Sequence, residues 1–312
     1  EGKAIAGQYG CVACHSVDGS ILYGPTWKGM YKSTLVFTDG TRVIADDEYI
    51  RAGASVATTA EECLDRGELV WKVLRPSAHE RTLLRPGQRV AACHHAGDDV
   101  SGHVHLERIE VEGRRPVLEA MSEIAGRLAV EQASFALSRQ QGGRGLLLGG
   151  VPGVEPANGV VIGGGAAGRA AAALASAVGA SVTVLDTDIA CLRALRLPGV
   201  QSRWATPHEV ERALVAADVV IAAVRAGDGP APRVASRAHL SLLEPGAVVV
   251  DLSIADGGAF ESTPVTSLSR PTAVVDGIVH VGVPNLAGGV PRTASIALSQ
   301  ASLPLVLDLA GR

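Results

Sequence analysis

Three glycines and one acid stand at a spacing that suits the binding of a diphosphate. Gly163, Gly165 and Gly168 form a G-x-G-x-x-G pattern, and Asp186 ends the β-branched run that comes next. In such a pattern the first glycine permits a tight turn, the second lets the backbone approach a pyrophosphate, and the third lets a helix pack closely on a strand. A carboxylate at the position of Asp186 accepts hydrogen bonds from the adenosine ribose and repels a 2′-phosphate. We therefore predict a site for NAD rather than NADP.

The residues on either side of the glycines fit this prediction. Residues 160–162 form a short apolar run, typical of a buried parallel strand, and residues 181–186 form a second run of this kind. Between them, residues 170–180 are mostly alanine and predict a helix, whose N-terminal N–H groups and positive dipole end would face the phosphates. A Gly-rich turn in another kind of α/β protein is the alternative, and the strand–turn–helix–strand context favours the dinucleotide site.

Further patterns predict a doubly wound sheet around this unit. Apolar runs followed by turn residues indicate three more strands, at 219–224, 247–252 and 272–275. A helical pattern at 116–130 leads into the Gly-rich stretch 142–153, which we interpret as a link between domains. Two short strands are predicted nearer the N-terminus, and a helix near the C-terminus should bend or break at Pro304.

The composition limits the class of protein. The chain has 312 residues, a formal net charge of −4 and 47% hydrophobic residues, which suits about two domains with sizeable cores. This charge gives no basic surface for nucleic acid, and no apolar run is long enough to span a bilayer. Five scattered cysteines are not a disulfide framework. The chain starts at Glu1 without a Met or a signal peptide, which indicates a processed product or a fragment. We expect the protein to be located in the cytoplasm.

A second chemical motif stands near the N-terminus. Cys11, Cys14 and His15 form a C-x-x-C-H sequence. In c-type haem attachment the two thiols add to the haem vinyl groups and the adjacent histidine ligates the iron. The motif therefore indicates haem c, with His15 as the metal ligand, and two free thiols beside a chance histidine are the alternative.

The neighbouring residues extend this motif into a partial resemblance. With the stretches 24–29 and 45–50, residues 1–54 resemble the cytochrome c domain fused to some cytochrome oxidase subunits II. The resemblance implies a small α-helical segment. That family carries a distal Met in a Met-Pro loop, which has no counterpart here, because the chain contains only Met30 and Met121.

From about residue 45 to the C-terminus, the chain resembles the alanine dehydrogenase and transhydrogenase α-subunit family. The matching segments are 69–73, 84–88, 121–127, 142–145, 149–154 and 290–293. The resemblance implies a Rossmann NAD-binding domain and a truncated α/β substrate domain, since the cytochrome-like segment stands in place of the family's opening segment. The expected parts are the cytochrome-like segment at 1–54, the substrate domain at 55–128, the NAD-binding domain at 129–290, and a helix returning to the substrate domain at 291–312.

The resemblance also implies a reaction and its residues. L-Alanine, NAD and water would give pyruvate, ammonia and NADH, in a homo-oligomer that is a hexamer in many family members. His95 matches the family's catalytic histidine, which hydrogen-bonds the substrate carbonyl, and an imidazole suits proton transfer because its pKa lies near the operating pH. The family's carboxylate-binding lysine is replaced by Leu74. Lys72, about 7 Å back on the same strand face, would then hold the substrate carboxylate in part. A solvated lysine at the end of the strand is the alternative.

The acid of the family's Asp-x-Ala-x-Asp-Gln-Gly-Gly segment is also displaced. Ala255 stands at the second Asp, and the next residue, Asp256, is the candidate catalytic acid. The family's other cofactor contacts carry over to Ser122, Thr206, Asn285 and Leu286. Two alternatives to an active dehydrogenase stay open: an NAD-binding protein without turnover, and an electron-transfer protein in which NADH reduces a haem.

Overall fold

The computed structural model describes residues 69–72, 82, 84, 88–92, 103–105, 109–227 and 229–311. Predictions for the other residues, including the cytochrome-like segment, lie outside this part of the chain. The chain divides into two compact units: Glu1–Met121 with Gly288–Arg312, and Ser122–Ala287. The boundaries expected after residues 54, 128 and 290 stay predictions.

Ten strands and five helices are assigned within the described ranges. The strands are β1 (Leu69–Lys72), β2 (Arg89–Ala92), β3 (His103–His105), β4 (Asn158–Ile162), β5 (Ser181–Asp186), β6 (Val200–Trp204), β7 (Val219–Ala222), β8 (Val248–Asp251), β9 (Thr272–Val275) and β10 (Ile278–Val281). The helices are α1 (Pro116–Ala136), α2 (Ala166–Ala177), α3 (Ile189–Ala194), α4 (Pro207–Val215) and α5 (Pro291–Gly311). None of these helices is long and apolar enough to cross a membrane.

In the smaller unit, the described strands form a parallel sheet in the order β1-β2-β3. A small apolar cluster around the buried side chains of Val117 and Val306 joins the start of α1 to α5. The helix α5 continues past Pro304, so a break at that residue is wrong. Leu298 and Val306 belong to one cluster, and the Ser302 hydroxyl donates to the Leu298 carbonyl at 2.7 Å, so the helix is held on both sides of the proline.

The sheet of the larger unit has seven strands in the order β6-β5-β4-β7-β8-β10-β9. Neighbouring strands are parallel except β9, which pairs antiparallel with β10. The chain winds outward from β4 to β6 and then returns to β7 on the other side of β4, which confirms the predicted doubly wound α/β sheet. Ligands of such sheets bind beyond the carboxyl ends of the strands, at the point where the winding reverses.

Both faces of this sheet are covered by other elements. The central strands β7 and β8 are buried along their full length, as expected for a parallel sheet between two layers. On one face, Leu214 of α4 packs in a cluster with Val249 and Phe260. On the other face α2 lies very close to β4, because a Cβ on Gly168 would be only 3.2 Å from Cγ1 of Val161.

The Gly-rich stretch 142–153 lies inside the larger unit, so its interpretation as a link between domains is wrong. The glycines let the chain fold back on the end of α1. A Cβ on Gly143 would lie 2.2 Å from the Ala136 carbonyl oxygen, which leaves room only for glycine. The next residue, Arg144, forms an ion pair with the buried carboxylate of Asp218. The stretch therefore secures α1 to the sheet.

Candidate functional site

A tight turn follows β4 at the carboxyl edge of the large sheet. Its first residue, Gly163, has a φ of +102°, which side-chain-bearing residues rarely adopt. A Cβ at this position would also lie 2.3 Å from the carbonyl oxygen of Ala223, just beyond β7. Both constraints require glycine here, as predicted for the tight turn.

The other two glycines meet opposite surroundings. A Cβ on Gly168 would lie 1.8 Å from the Gly163 carbonyl oxygen, so this glycine permits the close approach of α2 to β4. By contrast, no atom lies within 4 Å of the Cβ position of Gly165, which directly precedes α2. The first N–H groups of α2 and its positive dipole end therefore stand beside open space, where an anion is stabilised.

Asp186 ends β5, and its carboxylate is fixed in place by the backbone. Oδ2 accepts a hydrogen bond from the Gly164 amide at 2.5 Å, and Oδ1 accepts one from the Asp188 amide at 2.7 Å. Each carboxylate oxygen can accept more than one hydrogen bond. The side chain can therefore also accept bonds from the two ribose hydroxyls of an adenosine.

Two residues beside Asp186 are absent from the sequence-based prediction. Cys191, on α3, is half-buried, and its Sγ lies 3.5 Å from a carboxylate oxygen of Asp188. Burial, and next the negative charge of Asp186, raise the pKa of the Cys191 thiol, while the guanidinium of Arg169 lowers it. A neutral thiol and a cation therefore lie near the Asp186 carboxylate. Only their positions in the sequence could have pointed to these two residues: Arg169 directly follows Gly168, and Cys191 comes soon after Asp186.

Ser122 lies on α1, on the side that faces this site. Gly126 is one turn further along the helix and shares its face with Ser122. A Cβ on Gly126 would be 2.1 Å from the Ala167 carbonyl oxygen, so this face of α1 contacts the first turn of α2. The half-buried Ser122 hydroxyl is thereby placed near the open end of α2.

Thr206 lies beyond β6, next to the end of β5. The pairing of Trp204 with Asp186, and the hydrogen bond from the Ala205 amide to the Asp186 carbonyl at 2.9 Å, fix this neighbourhood. The Thr206 hydroxyl is exposed and caps α4 by accepting from the Glu209 amide at 3.2 Å. It can still donate its own proton to a ligand.

Asn285 and Leu286 follow β10, at the same carboxyl edge. Because β10, β8, β7 and β4 run parallel, their carboxyl ends lie side by side. Asn285 is half-buried and Leu286 is buried. All the predicted cofactor residues except Ser122, which lies on α1, are therefore found at one edge of one sheet.

The acidic loop after β8 also starts at this edge. Asp251 is buried and accepts hydrogen bonds from the amides of Ser253, Ala259 and Phe260 at 2.8–3.0 Å. Burial raises the pKa of Asp251, and the three amides oppose that rise. This carboxylate is therefore occupied in holding the loop.

Asp256 closes a short 3₁₀ turn, Ile254–Asp256. Its side chain is half-buried, whereas that of Ala255 is exposed. Successive residues of a 3₁₀ helix point about 120° apart, so Asp256 does not share the direction of Ala255. The carboxylate is therefore displaced in direction as well as in sequence from the position of the family's acid.

The remaining predicted residues belong to the less described part of the chain. Lys72 is the last residue of β1, and only its backbone is described. His95, Leu74 and the C-x-x-C-H residues lie outside the described residues. Their roles stay predictions.

Known proteins match this chain over most of its length. The family model "Alanine dehydrogenase/PNT, C-terminal domain" matches residues 129–312, and "Alanine dehydrogenase/PNT, N-terminal domain" matches residues 36–110. The chain is 39% identical over 281 residues to alanine dehydrogenase of Mycobacterium tuberculosis (strain ATCC 25618 / H37Rv), a match that covers 86% of this chain and 76% of that protein. It is also 39% identical over 282 residues to alanine dehydrogenase of Halomonas elongata, with the same coverage of both.

Solved structures match at the level of the fold as well. An L-alanine dehydrogenase structure has a TM-score of 0.75 and 36% identity, over 86% of this chain and 78% of that chain. A transhydrogenase from Sinorhizobium meliloti has a TM-score of 0.67 and 28% identity, over 85% and 80% of the two chains. The match to the N-terminal domain begins at residue 36, earlier than the predicted residue 45, so it includes part of the stretch interpreted as cytochrome-like. The chain belongs to the alanine dehydrogenase/PNT family.

Proposed function

We propose that this protein is an NAD-dependent alanine dehydrogenase, which converts L-alanine, NAD and water to pyruvate, ammonia and NADH. One observation carries the proposal: an open Gly-rich turn beside a carboxylate that two backbone amides fix, in a chain that is 39% identical to alanine dehydrogenases over 86% of its length. The cofactor follows from the turn, and the substrate follows from the family.

The described residues fit the parts of NAD. The open side of Gly165 and the N-terminus of α2 would hold the diphosphate, while the Asp186 carboxylate would hold the adenosine ribose. Asn285 and Leu286 would flank the nicotinamide, and Ser122 would contact the nucleotide near the first turn of α2. When bound, NAD supplies the acceptor for the hydride that leaves the Cα of alanine.

The substrate chemistry would rest on residues with less structural description. His95 would hydrogen-bond the substrate carbonyl and hold or release its proton, and Lys72 would pair with the substrate carboxylate. Asp256 would supply the acid near the reacting carbon. Because Leu74 and Ala255 replace two groups of the family pattern, we expect slower turnover than an unaltered site would give.

The test separates nucleotide binding from chemistry. NADH binding is measured first, by nucleotide fluorescence, and NADH oxidation with pyruvate and ammonium is then followed by near-ultraviolet absorbance. We expect turnover by the parent protein and none by His95→Ala, with NADH binding unchanged in that variant. If the parent binds NADH but shows no turnover, the protein is an NAD-binding protein without dehydrogenase activity. The exposed Ala255, at the position of the family's acid, supports this alternative. Turnover that survives His95→Ala would refute the assigned role of the histidine.

The assembly and location belong to the same proposal. We expect a homo-oligomer, a hexamer as in the family, located in the cytoplasm. Light scattering on the purified full chain measures the mass of the assembly. A monomer that turns over alanine would refute the oligomer and leave the chemistry in place.

A narrower proposal concerns residues 1–54 and is supported by the C-x-x-C-H motif. Haem c would be attached through Cys11 and Cys14, with His15 on the iron. The full chain is expressed with haem-maturation machinery, and a Soret band that resists acid–acetone extraction is expected. A Cys14→Ser variant is the control, and a parent protein without a Soret band would end this proposal.

A further inference from the structure

The segment that leaves β7 contacts the phosphate turn directly. A Cβ on Gly163 would lie 2.3 Å from the carbonyl oxygen of Ala223 and 3.2 Å from the amide nitrogen of Val224. The Ala223 amide also donates to the Ile162 carbonyl at 2.7 Å. The chain beyond β7 therefore starts its loop against the turn that would hold the cofactor diphosphate.

The backbone at this point is hydrogen-bonded to β4 and to the loop after β8. Besides the bond to Ile162, the Val224 carbonyl accepts a hydrogen bond from the Ser253 hydroxyl at 2.7 Å. The next residue, Arg225, is exposed, and its Cα follows that of Val224 by about 3.8 Å. An arginine side chain spans roughly 6–7 Å, so reaching the open space beside Gly165 requires the Arg225 Nε to release the Gly227 carbonyl that it contacts in this structure.

Among the described residues, the Arg225 guanidinium makes one type of contact, a hydrogen bond from its Nε. Its Nε donates to the Gly227 carbonyl at 2.9 Å, which curls the loop and leaves the two terminal nitrogens. None of the ion pairs found among the described residues involves Arg225. A forked cation with free donors suits a diphosphate, since both phosphates can be bound at once.

The phosphate turn supplies no cation of its own. Residues 160–168 are glycine, alanine, valine and isoleucine, so the turn offers a diphosphate only backbone N–H groups and the dipole of α2. Arg169 is close enough to Cys191 to lower the thiol pKa, which places its charge at the ribose end of the site. Residues 160–168 therefore offer the diphosphate no side-chain cation, and the loop after β7 is the candidate source of one.

We propose that Arg225 binds the diphosphate of the nucleotide, on the side opposite the N-terminus of α2. This inference rests on the proposed function, because it assigns a further residue to the NAD site. It makes Arg225 a cofactor-binding residue that the glycine motif alone does not contain. Most of the resulting affinity would depend on the charge of two phosphates and little on the adenosine.

The experiment compares three variants of the full chain with three ligands. Dissociation constants for NADH, ADP-ribose and adenosine are measured for the parent, Arg225→Ala and Arg225→Lys. Arg212→Ala is the matched control, because it removes the same charge from an exposed position on α4. Circular dichroism and thermal unfolding check that each variant is folded.

We expect Arg225→Ala to weaken NADH and ADP-ribose about tenfold, the effect of one lost charge-assisted contact, and to leave adenosine unchanged. Arg225→Lys should recover part of the loss, and Arg212→Ala should match the parent. Added salt should weaken NADH binding by the parent more than binding by Arg225→Ala.

Three different outcomes would overturn the inference. If the parent binds NADH and Arg225→Ala binds it equally well, the diphosphate contact is wrong while the proposed function stands. If the parent binds none of the three ligands, the proposed function falls and the role of Arg225 falls with it. An equal loss for adenosine and ADP-ribose would also refute a contact confined to the diphosphate.

Discussion

Replacing Gly165 and Gly168 one at a time by alanine should separate the binding of the nucleotide from the stability of the fold. A Cβ on Gly168 would be 1.8 Å from the Gly163 carbonyl oxygen, whereas a Cβ on Gly165 would meet nothing within 4 Å. The two residues are one turn of chain apart and receive the same methyl group. Any difference between the variants therefore reflects the surroundings of that methyl group.

The cost of Gly168→Ala follows from the distance. An ordinary carbon–oxygen contact needs roughly 3.3 Å, so α2 and β4 must separate by about 1.5 Å, or the backbone must distort. Overpacking of this kind costs about 3 kcal/mol, and for a unit of this size that lowers the Tm by roughly 6–12 °C. Gly165→Ala loses only a favourable residue before the helix, at about 1 kcal/mol or less.

The effect on NADH binding should be the opposite: Gly165→Ala should lose affinity although it loses little stability. In Gly165→Ala the new methyl group occupies the space assigned to the diphosphate, so we expect NADH affinity to fall at least about tenfold while the Tm stays within a few degrees. Thermal unfolding and NADH fluorescence measure the two quantities on the same samples. Parent-like NADH binding by Gly165→Ala would show that the open space is not the diphosphate site. A parent-like Tm for Gly168→Ala would refute the close packing of α2.

Two further predictions concern buried groups outside the phosphate turn. Burial lowers the pKa of His280 to about 4, partly opposed by the carboxylate of Asp276, so the histidine is neutral in the fold. Because the unfolded chain binds this proton near pH 6.5, the free energy of unfolding should fall by about 3 kcal/mol as the pH drops from 6.5 towards 4. Denaturant titrations at several pH values measure this dependence, which should be weaker in His280→Gln. Asp251→Asn should lower the free energy of unfolding by about 2 kcal/mol, because one of its three bonded amides would then face another donor. Asp256→Asn is the control and should change that free energy by less than about 0.5 kcal/mol, and equal losses in both variants would refute the anchoring role of Asp251.

The phosphate turn is predictable from the sequence because its parts are local. β4, the glycines, α2 and β5 follow one another, and the requirement for Gly168 comes from Gly163 in the same turn. The contact of Gly163 with Ala223 is different, since it joins residues far apart in the chain. A pattern search sees the glycine and not the neighbour that also demands it, and the same reason hides Arg225.

The edges of the sheet are harder to predict. β6 reads Val-Gln-Ser-Arg-Trp and is largely exposed, so it lacks the apolar run that marks a buried strand. The run 272–275 is indeed a strand, but it pairs antiparallel at the edge, and β10 inserts between it and β8. Asp276 and Gly277 both have positive φ values and form the tight turn between β9 and β10. The Asp-Gly pair is a hairpin signal that the apolar pattern alone does not use.

The loop after β8 holds the candidate acid Asp256, whose placement is the hardest to predict from the sequence. Asp256 is one residue from the position of the family's acid, and along the chain this distance is small. In the fold, the Asp256 carbonyl accepts from the Ala231 amide at 2.8 Å, and the Gly258 amide donates to the Ser253 carbonyl at 2.9 Å. Turning the Asp256 side chain into the direction of Ala255 would require breaking these bonds. Because the turn is fixed on both sides, a shift of one residue becomes a change in direction, which a comparison of sequences alone underestimates.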